Sequence, residues 1–188
     1  MRSSRSASVF SLGHFDGLGS PVAIRQTLSR LVKAGKIRRI RQGLYDLPRQ
    51  HPIIGQTAPD IMATVRALMD GSHAHWQFTG AYAATALGLS DQVPAKIVIQ
   101  TDGVPRQVSL GKLTLLFRRV APRNLFGAGR QAGLVIQAIR HLRNDPDIPS
   151  HIARLKKRLD AKTKSDLKSL TPKTPVWMHP LLQQIIGK

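Results

Sequence analysis

Two groups of hydrogen-bonding side chains stand close together near the start of the chain. Gln26, Ser29, Arg30 and Lys33 recur at a spacing that places them on one side of a helix, with Arg25 on its flank. Directly after them come Arg38, Arg39 and Arg41, in an alternating stretch that turns at Gln42 and Gly43. Such groups recognise polyanions. A guanidinium can donate two bonds to guanine O6 and N7, and a glutamine can pair with adenine N6 and N7. Arg30, Arg25 and Gln26 are therefore candidates for reading bases. Ser29, Lys33, Arg38, Arg39 and Arg41 suit phosphate oxygens, with Gln42 at the tip of the turn beside them; phosphate contacts fix register and make affinity fall with salt. Alternation sends Arg38 and Ile40 to one strand face and Ile37, Arg39 and Arg41 to the other, so only some of these arginines can share a surface.

The neighbouring residues specify the elements that carry these groups. Ser20 is an N-cap residue, Pro21 suits a first helical turn, and Gly35 can end the helix in the left-handed conformation. Between them Ile24, Leu28, Leu31 and Val32 form one apolar stripe, opposite the polar side chains. Ile37 to Leu47 reads as a hairpin that Pro48 ends, with Tyr45 as a core aromatic. Val9, Phe10, Phe15 and Leu18 predict a short helix and turn packed against the polar helix. A helix pair trailed by an arginine-rich hairpin is the layout of a winged helix-turn-helix, in which a helix enters the major groove and the wing holds flanking phosphate.

Composition points the same way. The 188 residues hold 29 Lys plus Arg against 10 acids, a formal charge of +19, and every acid is Asp. Such a field draws in polyanions and speeds encounter with them. DNA or RNA is the expected partner. A membrane is not, because no apolar run approaches the roughly 20 residues needed to span one and no broad Trp/Phe/Leu face backs the basic stretches. The opening MRSSRSASVF lacks the apolar core and cleavage pattern of a targeting peptide. Residues 2–8 are polar and basic and are expected to be mobile or to act as an arm. With no Cys, disulfides, thiolate chemistry and Cys-ligated zinc are excluded, in keeping with a cytoplasmic protein.

Texture changes near Pro48, and RQHPIIGQTAP reads as a connector, giving domains at 1–48 and 60–188 with 49–59 between them. The larger domain opens with a helix from Asp60 to Met69, then a strand near Ser72 to Gln77 and an Ala-rich helix stopped by Gly88. Lys96–Thr101, Arg106–Leu110 and Leu113–Val120 predict an antiparallel meander whose first hairpin turns at Asp102-Gly103. Helices follow over Leu134–Leu142 and along a basic stretch from His151 to Lys168, and an apolar tail from Trp177 to Ile186 docks on the core. His73 and His75 share a strand face at a spacing that can bind metal, but no Cys or Glu accompanies them and a surface role is favoured. GHFDGLG and GAYAATALG match neither the phosphate-loop nor the dinucleotide fingerprint. A nuclease would need scattered aspartates such as Asp91 and Asp102 brought together. The reading is a non-enzyme without cofactor or metal.

Two blocks, AIRQTLSRLVKAGKIRRIRQGLYDLP and TGAYAATALGLSDQVPAKIVIQTDGVPRQVSLGKLTLLFRRVAPR, resemble the AbiEi family of antitoxins from type IV toxin–antitoxin and abortive-infection systems. The resemblance runs from about Val9 to Met178. It implies an α+β protein: a DNA-binding winged helix followed by a C-terminal antitoxin domain. Its DNA-reading segment falls on Ala23–Lys33 and its wing on Ile37–Leu47. It further implies an operon repressor that binds inverted repeats in its own promoter, where matching symmetry would place two copies, as a homodimer or as cooperative monomers. Such a protein counters a nucleotidyltransferase-like toxin without a stable complex. Members carry a full helix before the position of Val9, where this sequence has MRSSRSAS, so that helix is expected to be shortened or replaced. The alternative is a general nucleoid or RNA-binding protein, which would use the same charge with little sequence preference.

Overall fold

The computed structural model describes residues 9–48, 50–53 and 55–187. It is a mixed α+β protein whose chain divides after Ser72 into two compact units. The predicted arm at residues 2–8, Arg49 of the connector and Lys188 lie outside the described residues.

In the N-terminal unit, helix α1 spans Pro21–Lys33, and its ends follow from capping chemistry. The Ser20 hydroxyl accepts a bond from the Ala23 amide at 3.2 Å, and Pro21 fills a position whose N–H would have no helical partner. At the other end Gly35 has φ +67°, which lets the Gly35 amide reach the Val32 carbonyl and the Lys36 amide the Leu31 carbonyl, both at 3.0 Å. The apolar stripe faces inward as its spacing demands, with Leu28 buried and Ile24, Leu31 and Val32 half-buried. Leu28 packs with Ile37 and Tyr45, ringed by Phe10, Leu12, Phe15, Ile24, Leu31 and Val32.

Strands β1 (Val9–Ser11), β2 (Arg38–Arg41) and β3 (Leu44–Asp46) form an antiparallel sheet in the order β1-β3-β2. Alternation along the strands sends Phe10 and Tyr45 into the cluster beneath α1, and Val9, Leu44 and Ile40 into a second cluster on the other face. Helix α2 (Ile61–Met69) completes that second cluster with Ala63, Ala67 and Leu68. Two sequence expectations change here. Val9–Ser11 is a strand because its backbone pairs with β3, Val9 opposite Asp46 and Ser11 opposite Leu44, and the predicted helix contracts to a 3₁₀ turn at Leu12–Phe15. Leu18, expected to support α1, is exposed. The division also falls later than the 49–59 connector, because α2 buries its apolar side on β1 and so belongs to the N-terminal unit. The connector itself is ordered in part: β4 (Gln50–His51) pairs antiparallel with β5 (Gly55–Gln56).

The C-terminal unit holds a four-stranded sheet and a helical cluster. Strands β6 (Trp76–Phe78), β7 (Lys96–Thr101), β8 (Arg106–Leu110) and β9 (Leu113–Arg119) lie in the order β6-β7-β9-β8. β9 runs parallel to β7 and between it and β8. The predicted meander is thus incorrect in its order. Ile97, Ile99, Leu115 and Phe117 are all buried, whereas Arg106, Gln107 and Ser109 of β8 are exposed, so the two apolar strands take the centre and the polar one the edge. Asp102-Gly103 does not turn a hairpin either. The Asp102 carboxylate accepts from the His75 amide at 2.8 Å and pairs with the His75 ring at 2.9 Å, which ties this corner to the start of β6.

Helices α3 (Gly80–Ala86), α4 (Gln131–His141), α5 (Ile148–Arg158), α6 (Ala161–Leu170) and α7 (His179–Ile186) supply the main core. Met178, Leu182 and Ile185 of the apolar tail are fully buried in it. The basic stretch from His151 to Lys168 is two helices rather than one. Leu159 is extended and Asp160 caps α6, accepting from the Thr163 amide at 2.8 Å.

Candidate nucleic-acid interface

Because the stripe on α1 faces Tyr45 and Phe10, the opposite side of the helix is driven outward. Arg25, Gln26, Ser29, Arg30 and Lys33 are all exposed there. The β2–β3 hairpin projects beside them with Arg39, Arg41 and Gln42 exposed. Between helix and hairpin runs a groove of about 510 Å³. Arg25 and Ser29 line one wall, Arg39, Gln42 and Gly43 the other, and Leu12, Val32 and Tyr45 the apolar floor. No carboxylate lines it, although Asp16 shares an adjoining smaller cavity with Arg25. Gln26, Arg30, Lys33 and Arg41 lie on the exposed surface outside the groove lining.

Arg38 is placed otherwise, and its assignment as a phosphate contact is corrected. Its Nε donates to Asp46 Oδ1 at 3.0 Å and its Nη2 to Asp46 Oδ2 at 2.5 Å, while Nη2 also donates to the Thr57 carbonyl at 2.9 Å. The Asp46 side chain is 3% exposed and that of Arg38 30%. Hydrogen bonding to Asp46 holds the Arg38 guanidinium above its ordinary pKa, against the opposing effect of burial. Arg38 consequently joins β2, β3 and the connector rather than facing outward. Asp46 is the residue that sequence reasoning missed. Its signal was available in the hairpin register, because Arg38 and Asp46 are direct cross-strand partners.

The 3₁₀ turn beneath α1 is braced from the side. His14 Nδ1 lies 3.2 Å from Asp70 Oδ2, at the end of α2, and 3.2 Å from the Ser11 hydroxyl. The other sequence candidates do not converge on a site. His73 and His75 are exposed, and the His75 ring is taken by Asp102. Among the described residues no group of three His, Asp or Glu side chains could hold a metal ion, and no helix is long and apolar enough to cross a membrane.

Residues 1–167 match the model of DUF6088, a family of unknown function. The chain belongs to DUF6088. The match takes in the whole N-terminal unit of this DUF6088 protein and its C-terminal unit as far as α6. No curated protein matches the chain. What a DUF6088 chain does must therefore be argued from its own residues, and here the exposed cations of α1 and its hairpin are the group the fold brings together.

Proposed function

We propose that this DUF6088 protein is a sequence-specific DNA-binding regulator whose N-terminal unit is a winged helix-turn-helix, with α1 as the recognition helix, the 3₁₀ turn at Leu12–Phe15 in place of the first helix of the pair, and the β2–β3 hairpin as the wing. The observation that carries the reading is the shared surface of α1 and the hairpin. Arg25, Gln26, Ser29, Arg30 and Lys33 stand exposed on the helix, with Arg39, Arg41 and Gln42 exposed on the hairpin beside it. A helix of this kind fits the major groove, and an adjoining basic hairpin reaches flanking backbone. The net charge of +19 supports attraction to the duplex before any specific contact forms.

The resemblance to AbiEi antitoxins supports a fuller statement of the role. The protein represses its own operon by binding an inverted repeat, two copies on one operator, and blocks polymerase sterically. Its C-terminal unit counters a nucleotidyltransferase-like toxin encoded beside it, in the cytoplasm and without a lasting complex. It acts by binding, not as an enzyme.

The test is a comparison of affinities. The DNA upstream of its own gene should bind far more tightly than a scrambled duplex, and a ratio near one would leave only general nucleic-acid binding. Replacing Arg30 with Ala should cost about 1–3 kcal/mol on the preferred sequence and relax the preference, because a base contact is lost. Co-expression with the product of the adjacent gene should relieve any toxicity that product has. Persistent toxicity would remove the antitoxin half of the proposal.

A further inference from the structure

The groove between α1 and the hairpin differs in shape and chemistry from the helix crest beside it. Base edges lie at the floor of the DNA major groove and are met by side chains that protrude from a helix, as Gln26, Arg30 and Lys33 do. A concave channel between two walls needs a ligand that protrudes into the protein instead. Arg25 stands on one wall and Arg39 on the other, with the Ser29 hydroxyl and Gln42 amide near them and no carboxylate in the lining. Arginines on the two walls of a cleft suit an anion with oxygens on both sides, and a phosphodiester has that form. The floor of Leu12, Val32 and Tyr45 is apolar, which suits the carbon surface of a deoxyribose rather than free phosphate alone. Gly43 turns the hairpin at φ +75°, a conformation that side chains rarely adopt, and lines the groove beside Leu12.

We infer that this groove seats the sugar-phosphate backbone of one DNA strand, with Arg25 and Arg39 closing on the same phosphodiester from opposite walls. Ser29 and Gln42 donate to its neighbouring oxygens, and the floor packs against the adjoining sugar. The inference rests on the duplex-DNA reading above and deepens it. It moves Arg25 from base reading to backbone clamping, and leaves Gln26 and Arg30 as the residues that touch bases.

The experiment uses the full chain, the duplex it enriches most from a random-sequence pool, and a scrambled duplex of equal composition. Arg25→Ala and Arg39→Ala should each weaken binding to both duplexes by the same factor, on the order of tenfold, as expected for a charge-assisted hydrogen bond. The double variant should lower the slope of log affinity against log salt by about 0.9, the amount for one phosphate. In a set of duplexes each carrying one uncharged methylphosphonate, a single position should abolish the effect of both substitutions. Arg25→Lys should keep most of the salt slope, and unchanged melting temperatures establish that the variants fold. The inference is overturned if Arg25→Ala selectively weakens the enriched duplex, or if the two arginines respond to different phosphates. A chain that enriches no sequence but still shows the methylphosphonate result keeps the groove assignment and loses sequence-specific recognition. A chain that binds no duplex at all loses both.

Discussion

Replacing Arg38 with Ala separates a positioning role from a DNA contact. The Asp46 carboxylate is 3% exposed and its two oxygens are taken by Arg38 Nε and Nη2 at 3.0 and 2.5 Å. Removing the guanidinium strands a buried carboxylate and also leaves the Thr57 carbonyl without its 2.9 Å bond. Breaking a buried ion pair from one side costs about 3–5 kcal/mol. Arg38 keeps 30% exposure, so water reaches the pair from that side and the expected cost is about 3 kcal/mol, the lower end of the range. That is a large share of a small unit's stability. Arg39→Ala, at an exposed position one residue on, should stay within about 0.5 kcal/mol. Both tryptophans lie in the C-terminal unit, so the comparison needs amide hydrogen exchange in β2 and β3 under increasing urea rather than intrinsic fluorescence. Replacing both partners with apolar residues, Arg38→Met with Asp46→Leu, should restore most of the loss. Equal stability of Arg38→Ala and Arg39→Ala would refute the argument.

Three further expectations follow from single observations. Ser20→Ala removes the cap on α1 and should cost about 1 kcal/mol, read as faster exchange of the amides in its first turn. In the C-terminal unit a Cβ at Gly133 would run into the carbonyl of Gly127, both of them backbone atoms with no side chain to yield, so Gly133→Ala should cost at least about 1–3 kcal/mol in denaturation followed by tryptophan fluorescence. Hydrogen bonding from the His75 ring, joined by the His75 amide, holds the Asp102 carboxyl below its ordinary value. A depressed carboxyl contributes stability that is present above the unfolded-state value, near 3.9, and is lost as pH falls through the folded-state value. His75→Ala should therefore move the Asp102 titration, followed by carbon NMR, upward toward the ordinary range; an unmoved titration would contradict the contact.

How far the fold was legible depended on whether local chemistry or strand competition decided each element. Helix α1 was readable to its ends because cap, first-turn proline, apolar stripe and terminal glycine act within a dozen or so residues of one another. The sheet of the C-terminal unit was not. Asp102-Gly103 carries a hairpin signal, but its side chain finds better partners in His75, and the link of residues 102–105 then crosses to the far side of β9. Two strand spacings are about 9.6 Å, which four extended residues span easily. The choice between a meander and the observed order therefore lies in which strand can be buried on the centre line. Ile97 and Ile99 pair with Leu115 and Phe117 there, while β8 offers only Val108 as a buried side chain. β1 was missed for a related reason. Three residues cannot display a period, and only the presence of β3 as a partner makes Val9–Ser11 a strand.

The candidate surface shows the same limit at the level of single side chains. Spacing put Arg38 with Ile40 on one strand face and Arg39 on the other, as found, but a bulge between Arg39 and Arg41 pairs Arg41 with Leu44 and breaks the alternation that grouped it with Arg39; residue type, meanwhile, made all three arginines of the hairpin equal candidates. What distinguishes them is the third dimension of the sheet. Ile40 and Leu44 pack toward α2, so the face that carries Arg38 is the covered one, and a guanidinium there survives only because Asp46 stands directly across the ladder. Arg39 faces the α1 side, where the helix crest diverges from the hairpin and leaves the groove open. A single alternation rule thus assigns two adjacent arginines opposite work: Arg38 holds the hairpin in place by neutralising a buried acid, and that fixed hairpin sets where Arg39 can meet Arg25. If α1 and the hairpin bind DNA as proposed, loosening the Arg38–Asp46 pair should weaken that binding through the position of Arg39 and leave the sequence preference unchanged. A variant of Arg38 that remained folded but bound with altered preference would show that the hairpin, too, reads bases.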